Sequence, residues 1–241
     1  MATYACSDLH GMMPLYKQIK NFLSPDDKVY YLGDAGDRGP NSWELIKTIY
    51  NDNQFIYIKG NHEDMLMKSM IDYIKYDGLC DKNYYHLCSN GGEITFYDWT
   101  ADGASAEWIN KIRELPVCQT YTNVNDVVVY LTHAGFTPVY DKEDKIVIPD
   151  EEDLIWNRYH FTDPWPVDTE NVTIVHGHTP TPYLADHLRK SEEIEIGHAF
   201  WYANRHKVDI DVGAVFTGRA CLLDLDSFDE HVFEIPGFVF I

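Results

Sequence analysis

Along the first sixty residues, short apolar runs alternate with amphipathic stretches, and each run stops at a cluster of polar side chains. Residues 3–7 read as a strand entering the core, followed at once by Asp8, His10 and Gly11. Residues 14–22 then place Leu15, Ile19, Phe22 and Leu23 on one helical face. The turn Ser24-Pro25-Asp26-Asp27 leads to a second strand over 28–32, which breaks at Gly33 and delivers Asp34, Asp37 and Arg38 before Gly39. A helix over 41–51 follows Pro40 and carries Trp43, Ile46, Ile49 and Tyr50. A third strand over 54–59 is stopped by Gly60 and followed by Asn61-His62-Glu63. Three strand–loop units with polar residues just past each strand predict an α/β sheet whose ligand-binding edge lies at those strand ends.

The middle of the chain has another character. Residues 64–76 form a Met-rich helix, with the Met65–Met70 stripe at packing spacing, and a loop rich in Tyr, Gly and Asn covers 77–92. A helix over 104–115 ends at Pro116. No linker-like composition brackets 64–126, so it reads as a helical insert or cap within one domain spanning 1–241. The β pattern returns at 127–131, ending at His133-Ala134-Gly135, and at 172–175, ending at His176-Gly177-His178-Thr179-Pro180. Between them, 151–158 leads into an aromatic, proline-broken loop with Tyr159, Phe161 and Trp165. The tail predicts three antiparallel strands over 208–212, 219–225 and 231–235.

Composition narrows the classes. The 241 residues are 45% hydrophobic and 24% charged, enough for one large domain with a sizeable core. No stretch approaches the roughly 18 apolar residues of a membrane helix, so no membrane partner is expected. The N-terminus MATYACSDLH lacks the basic and apolar regions of an export signal. Five cysteines (Cys6, Cys80, Cys88, Cys118, Cys221) are odd in number and lack CxxC spacing, which fits reduced thiols in a cytoplasmic protein. A net charge of −20 argues against a nucleic-acid partner. That acidity reads as solvated surface, with a share that bound cations could neutralise.

The residues immediately after strands are Asp8, His10, Asp34, Asn61, His133 and His178. This oxygen-and-nitrogen set has no thiolate and suits Mn²⁺, Fe or Zn²⁺ better than a structural thiolate site. Six ligands exceed the needs of one catalytic metal, but two ions could share a central carboxylate. Asp34, on the middle of the three N-terminal units, is the natural bridge. Two cations about 3.5–4 Å apart form the clamp of phosphatases and nucleases, and a water between them becomes a nucleophile near neutral pH.

Asp8-Leu9-His10-Gly11, Gly33-Asp34-Ala35-Gly36-Asp37-Arg38-Gly39 and Gly60-Asn61-His62-Glu63 resemble the three signature motifs of the phosphoprotein phosphatase family of metallophosphoesterases. His133-Ala134-Gly135 and Gly177-His178-Thr179-Pro180 look like its remaining ligand loops, in the same order. The resemblance spans about residues 3–220 and is closest to the compact bacterial and phage branch, which holds protein serine/threonine phosphatases and diadenosine tetraphosphate hydrolases. It implies a β-sandwich of two mixed sheets flanked by helices. It implies a first metal on Asp8, His10 and Asp34 and a second on Asp34, Asn61, His133 and His178. Arg38, Arg158 and Asn61 would bind phosphate oxygens, and His62, oriented by Asp37, would protonate the leaving oxygen. Two departures stand out: Ser7 replaces a usual glycine at no expected loss, and Gly36 replaces a usual apolar residue and is expected to loosen the loop holding Asp37.

The expected activity is phosphomonoester hydrolysis by direct water attack with two divalent cations, Mn²⁺ first. The expected substrate is a phosphoserine or phosphothreonine protein or another small phosphoester. The alternative is a symmetrical diadenosine tetraphosphate hydrolase, disfavoured by the acidic charge, and after it a non-catalytic metal-binding protein. His176 is expected in the core or behind the ligands, Asp211 beside them through a hydrogen bond, and Cys6 in the core. Tyr159, Phe161 and Trp165 are expected to be core before groove.

Overall fold

The computed structural model describes residues 1–78, 83, 85–143, 145–166, 171–188 and 194–239. The sequence-predicted 77–92 loop lies partly outside this set, as does Cys80; the described cysteines Cys6, Cys88, Cys118 and Cys221 are free thiols.

The chain opens with β1 (Thr3–Cys6), α1 (Met13–Phe22), β2 (Lys28–Tyr31), α2 (Ser42–Asn51), β3 (Phe55–Tyr57) and α3 (Asn61–Tyr76). Helices α4 (Glu93–Ala101) and α5 (Glu107–Arg113) follow, then β4 (Cys118–Thr122), β5 (Val128–Thr132) and a small ribbon of β6 (Val139–Tyr140) and β7 (Ile146–Val147). The remainder is α6 (Glu151–Trp156), β8 (Val172–His176), α7 (Thr181–Leu188), β9 (Phe200–Tyr202), β10 (Lys207–Asp209), α8 (Ala214–Thr217), β11 (Arg219–Asp224) and β12 (Glu230–Glu234). Two five-stranded sheets result, ordered β12-β11-β1-β2-β3 and β4-β5-β8-β10-β9. Both are mixed: β1, β2 and β3 run parallel, as do β5, β8 and β10, with antiparallel strands at the flanks.

Period-two side chains explain why the sheets stack. Tyr4 and Cys6 of β1, and Ala220 and Leu222 of β11, join a core with α1, α2, α3, α4 and α5. Their neighbours Ala5, Cys221 and Leu223 face the other way and meet Val129, Leu131, Val175 and Val208 of the second sheet. Strands β1 and β11 therefore bury both faces, one in the sandwich interior and one under helices. This is the expected α/β sandwich of two mixed sheets flanked by helices.

Several boundaries move. Strand β10 pairs parallel with β8 rather than joining an antiparallel tail, because the chain crosses over between the two strands. Strand β4, Cys-Gln-Thr-Tyr-Thr, carries no apolar run; as a half-exposed edge strand it needs none. Helix α3 begins at Asn61, not Asp64, so Asn61 and His62 stand on its first turn. Among the described residues, no helix is long and apolar enough to cross a membrane.

Candidate active site

The parallel strands of both sheets deliver their C-terminal loops to one edge, and those loops are tied together by backbone. Asp8 N–H donates to Gly33 O at 3.1 Å, His10 N–H to Asp34 O at 3.0 Å, and Gly177 N–H to His133 O at 2.8 Å. Six non-glycine residues there occupy left-handed backbone: φ is 54° at Asp8, 42° at His10, 58° at Asp34, 65° at Asp37, 68° at Arg38 and 75° at His178. Each such residue costs about 1–3 kcal/mol and persists only where the surroundings over-determine it. Glu63 is one of those supports. Its carboxylate accepts the backbone N–H of Asp34 at 2.8 Å, Ala35 at 2.9 Å and Gly60 at 2.9 Å, and the Tyr57 hydroxyl at 2.8 Å. A Cβ on Gly60 would lie 2.2 Å from Asp34 Oδ1, so only glycine admits this approach.

Hydrogen bonds on the outer nitrogens set two tautomers. His10 Nδ1 donates to Gly36 O and His133 Nδ1 to Leu32 O, each at 2.7 Å, leaving both Nε2 lone pairs facing the site. Asp8 Oδ2 accepts from His178 N–H at 3.0 Å and from the Ser7 hydroxyl, while its Oδ1 is buried with no hydrogen-bond partner. His133 Nε2 stands 3.4 Å from Asp34 Oδ2, 2.8 Å from Asn61 Oδ1 and 3.1 Å from His178 Nδ1. So many lone pairs converging in a buried place demand a positive charge. Burial opposes a proton there, yet the Asp34 and Asp8 charges raise the His133 pKa to about 9. A divalent cation answers the same demand.

Two groups of donor atoms meet the geometry for a metal: His10, Asp34 and His62, and Asp34, His133 and His178. Asp34 belongs to both. His10 Nε2 is 3.7 Å from Asp34 Oδ2 and 4.0 Å from Asp8 Oδ1. Arg38 lies across the first group, donating to His10 Nε2 at 2.6 Å and to His62 Nε2 at 2.8 Å. Burial would raise the Asp34 carboxyl pKa, but the neighbouring histidines hold it well below the usual carboxylate range. Burial and the nearby Asp211 charge push Asp8 up. Burial pushes Asp211 itself up to about 7. Three buried carboxylates of this kind favour bound cations.

The loop after β2 is not loose despite Gly36. Asp37 N–H donates to Thr95 Oγ1 at 2.8 Å, and that hydroxyl donates to Asp37 Oδ1 at 2.5 Å. Arg38 N–H donates to Gly91 O at 2.9 Å, and its guanidinium reaches Asn90 Oδ1 at 3.3 Å. An apolar side chain at 36 would start 2.6 Å from Ile46 Cδ1, so glycine leaves room for that packing. His62 Nδ1 donates to Asp37 Oδ2 at 2.6 Å, the expected pairing. The Asn90-Gly91-Gly92…Thr95 stretch, legible in sequence only as a turn and helix start, thus forms the far wall holding Asp37 and Arg38. Glu63 stood inside a motif without a role, and nothing in the sequence marked His86, which also donates to Asp37 Oδ2, at 2.9 Å.

Arg158 is exposed, just past α6; partial burial lowers its pKa, while Asp34, Asp211 and Asp8 favour its charge. His176 is core: its ring bonds Gly177 O at 3.0 Å and the Tyr202 hydroxyl at 2.7 Å. Asp211 Oδ1 accepts from Gly213 N–H at 2.9 Å, a local turn bond, and its charge raises the pKa of Asp8. The aromatic loop splits: Phe161 is buried, Trp165 stacks on His206, and Tyr159 is 85% exposed. Two grooves flank the centre. One of about 390 Å³ is lined by Arg38, Gly91, Glu93, Ile94, Tyr97 and Asp98, and one of about 360 Å³ by Asp64, Lys68, Glu151, Glu152, Ile155 and Trp156.

Fold and site together define an α/β sandwich with a candidate two-cation centre at one sheet edge. The family model for calcineurin-like phosphoesterases matches residues 1–218, and the chain belongs to that family. The symmetrical bis(5'-nucleosyl)-tetraphosphatase of Buchnera aphidicola subsp. Acyrthosiphon pisum (strain Tuc7) is 31% identical over 146 residues, 58% of this chain and 47% of that protein. The chain spans about half the length of the curated relatives it matches. A solved structure provisionally named a diadenosine tetraphosphatase aligns with TM-score 0.60 at 13% identity, over 98% of this chain and 94% of that one. A protein serine/threonine phosphatase from Saccharomyces cerevisiae aligns with TM-score 0.53 at 14% identity, over 99% and 81%. At these identities the structural likeness speaks for the fold alone.

Proposed function

We propose that this chain is a two-metal phosphoester hydrolase, with Asp8, His10 and Asp34 holding one divalent cation and Asp34, Asn61, His133 and His178 the other. The observation that carries the reading is Asp34, ionised and common to both donor groups. When bound, the cations supply Lewis-acid neutralisation of phosphoryl charge and acidify water; Mn²⁺ is the first choice, Fe or Zn²⁺ the others. Arg38 and Arg158 bind phosphate oxygens, for which the guanidinium fork is suited. His62, held by Asp37 at Nδ1, has its Nε2 accepting from Arg38; doubly protonated and turned to substrate, it delivers the Nε2 proton to the leaving oxygen.

For the substrate, the names of the curated relatives favour a symmetrical dinucleoside tetraphosphate over the phosphoprotein expected from sequence. We take the nucleotide as the first reading. The phosphoprotein is the second, favoured by the acidic rim: Glu93 and Asp98 line one flanking groove and Asp64, Glu151 and Glu152 the other. Carboxylates there repel a polyanion and suit a peptide with cationic neighbours. The deciding experiment measures Mn²⁺-dependent hydrolysis of diadenosine tetraphosphate, a phosphoserine peptide and a phosphotyrosine peptide, each against a chelator control. Cleavage of the dinucleotide with inert peptides supports the first reading, the converse supports the second, and no metal-dependent turnover of any phosphoester overturns both.

A further inference from the structure

Asp37 carries more hydrogen bonds than orientation of His62 requires. Its Oδ1 accepts from the Thr95 hydroxyl, and its Oδ2 accepts from two imidazoles, His62 Nδ1 at 2.6 Å and His86 Nε2 at 2.9 Å. His86 is 3% exposed and sits on the wide turn Tyr85–Ser89, beyond the far end of α3. Its other nitrogen, Nδ1, is 2.8 Å from the hydroxyl of Ser69, itself buried on α3.

The donor and acceptor count is complete. An ionised carboxylate only accepts, so His86 must carry its proton on Nε2 to reach Asp37. The Nδ1 of that tautomer is then an acceptor, and the Ser69 O–H supplies its donor. Burial alone would raise the Asp37 carboxyl pKa, but the bonds from His62 and His86 hold it well below the usual range. Space is reserved for the ring as well. A Cβ on Gly92 would lie 2.1 Å from His86 Nε2, and Gly92 N–H donates to His86 O at 2.9 Å. Asp37 and Arg38, on consecutive left-handed residues, thus rest on a buried relay Ser69–His86–Asp37–His62 that reaches from the interior of α3 to the site.

We propose that His86, fixed in its Nε2–H form by Ser69, is a positioning residue that holds the Asp37 carboxylate so that His62 presents Nε2 to the leaving group. The proposal rests on the phosphoesterase reading above. Among the described residues the His86 ring nitrogens bond Asp37 and Ser69, neither of them in a donor group, so His86 acts on the site through Asp37. The step served balances: the P–O bond to the leaving group breaks, the leaving oxygen takes a proton from Nε2 of a doubly protonated His62, and the water that gives phosphorus its oxygen releases the proton that restores His62. His86 itself gains and loses no proton.

The test uses the full chain with Mn²⁺ and compares wild type with His86→Phe, His86→Gln and Ser69→Ala. A leaving group that needs a proton, such as the serine of a phosphoserine peptide, is set against p-nitrophenolate, which needs little help. His86→Phe is expected to lower kcat for the alkyl phosphoester about tenfold to a hundredfold, with KM nearly unchanged and p-nitrophenyl phosphate affected by less than about threefold. His86→Gln, which keeps an N–H donor at nearly the same place, should recover most of that loss, and Ser69→Ala should show a smaller loss of the same pattern. In parallel, the downfield His62 Nδ1–H proton resonance, assigned with His62→Asn, should vanish or shift in His86→Phe and return in His86→Gln. Equal losses on both leaving groups, or no rescue by glutamine with an unmoved resonance, would overturn the proposal. A wild type inactive on every phosphoester would instead sink the phosphoesterase reading, and the resonance alone would still decide whether His86 positions Asp37.

Discussion

The backbone N–H of His62 donates to Asp34 Oδ1 at 3.0 Å, while its ring Nε2 lies 3.9 Å from Asp34 Oδ2. One short stretch, the first turn of α3, therefore aligns the shared carboxylate and the proposed proton donor together. The main-chain bond survives any change of side chain. Hence His62→Asn should keep the fold and bound metal while losing about 10²–10⁴ in kcat on an alkyl phosphoester. Steady-state kinetics with circular dichroism and metal content on the same sample check it.

Asp34→Asn removes the charge common to both donor groups. Its expected effect is on occupancy as well as rate: bound Mn²⁺ falls from two ions per chain to one or none, read by elemental analysis after equilibrium dialysis. Retention of two ions would show that Asp34 is not the bridge.

Gly92→Ala tests the steric side. The backbone φ of Gly92 is −76°, which alanine adopts freely, so the penalty comes only from the His86 ring against the new methyl. Overpacking of this kind costs about 1–3 kcal/mol, to be read from urea unfolding of the variant. Combined with His86→Ala the cost should largely vanish, because the ring that clashes is gone.

Much of this was legible in the chain. The strand–loop repeat places Asp8, His10, Asp34 and Asn61 at one edge, because a buried strand that ends in charge has few other uses. Helix α3 starts three residues before the position its sequence predicts, since Gly60 and the Glu63 side chain cap it without the serine, threonine or aspartate that usually marks a start. The left-handed backbone at Asp8, His10, Asp34, Asp37, Arg38 and His178 leaves only a weak signal in the chain, because aspartate and histidine adopt it more often than most residues but far less readily than glycine. His86 and Thr95 were unreadable for another reason. They reach Asp37 across 49 and 58 residues of chain, and no spacing rule links such positions.

Lys207 offers a test of the buried interior. Its Nζ donates to Thr137 Oγ1 and His160 O, each at 3.0 Å, and burial lowers its pKa from 10.5 to about 8. Between pH 8 and 10.5 the unfolded chain binds the extra proton, so stability gained from this group rises with pH across that window. Below pH 8 both states are protonated and the penalty is constant. The unfolding free energy of wild type relative to Lys207→Met should therefore increase by up to about 3 kcal/mol from pH 8 to 10.5. A flat difference would mean the lysine is better solvated than its surroundings imply.

The most direct test of the central claim is anomalous diffraction from crystals soaked in Mn²⁺. Two peaks are expected beside Asp34, one toward Asp8 and His10 and one toward Asn61, His133 and His178. A single peak, or two that do not share Asp34, would contradict it.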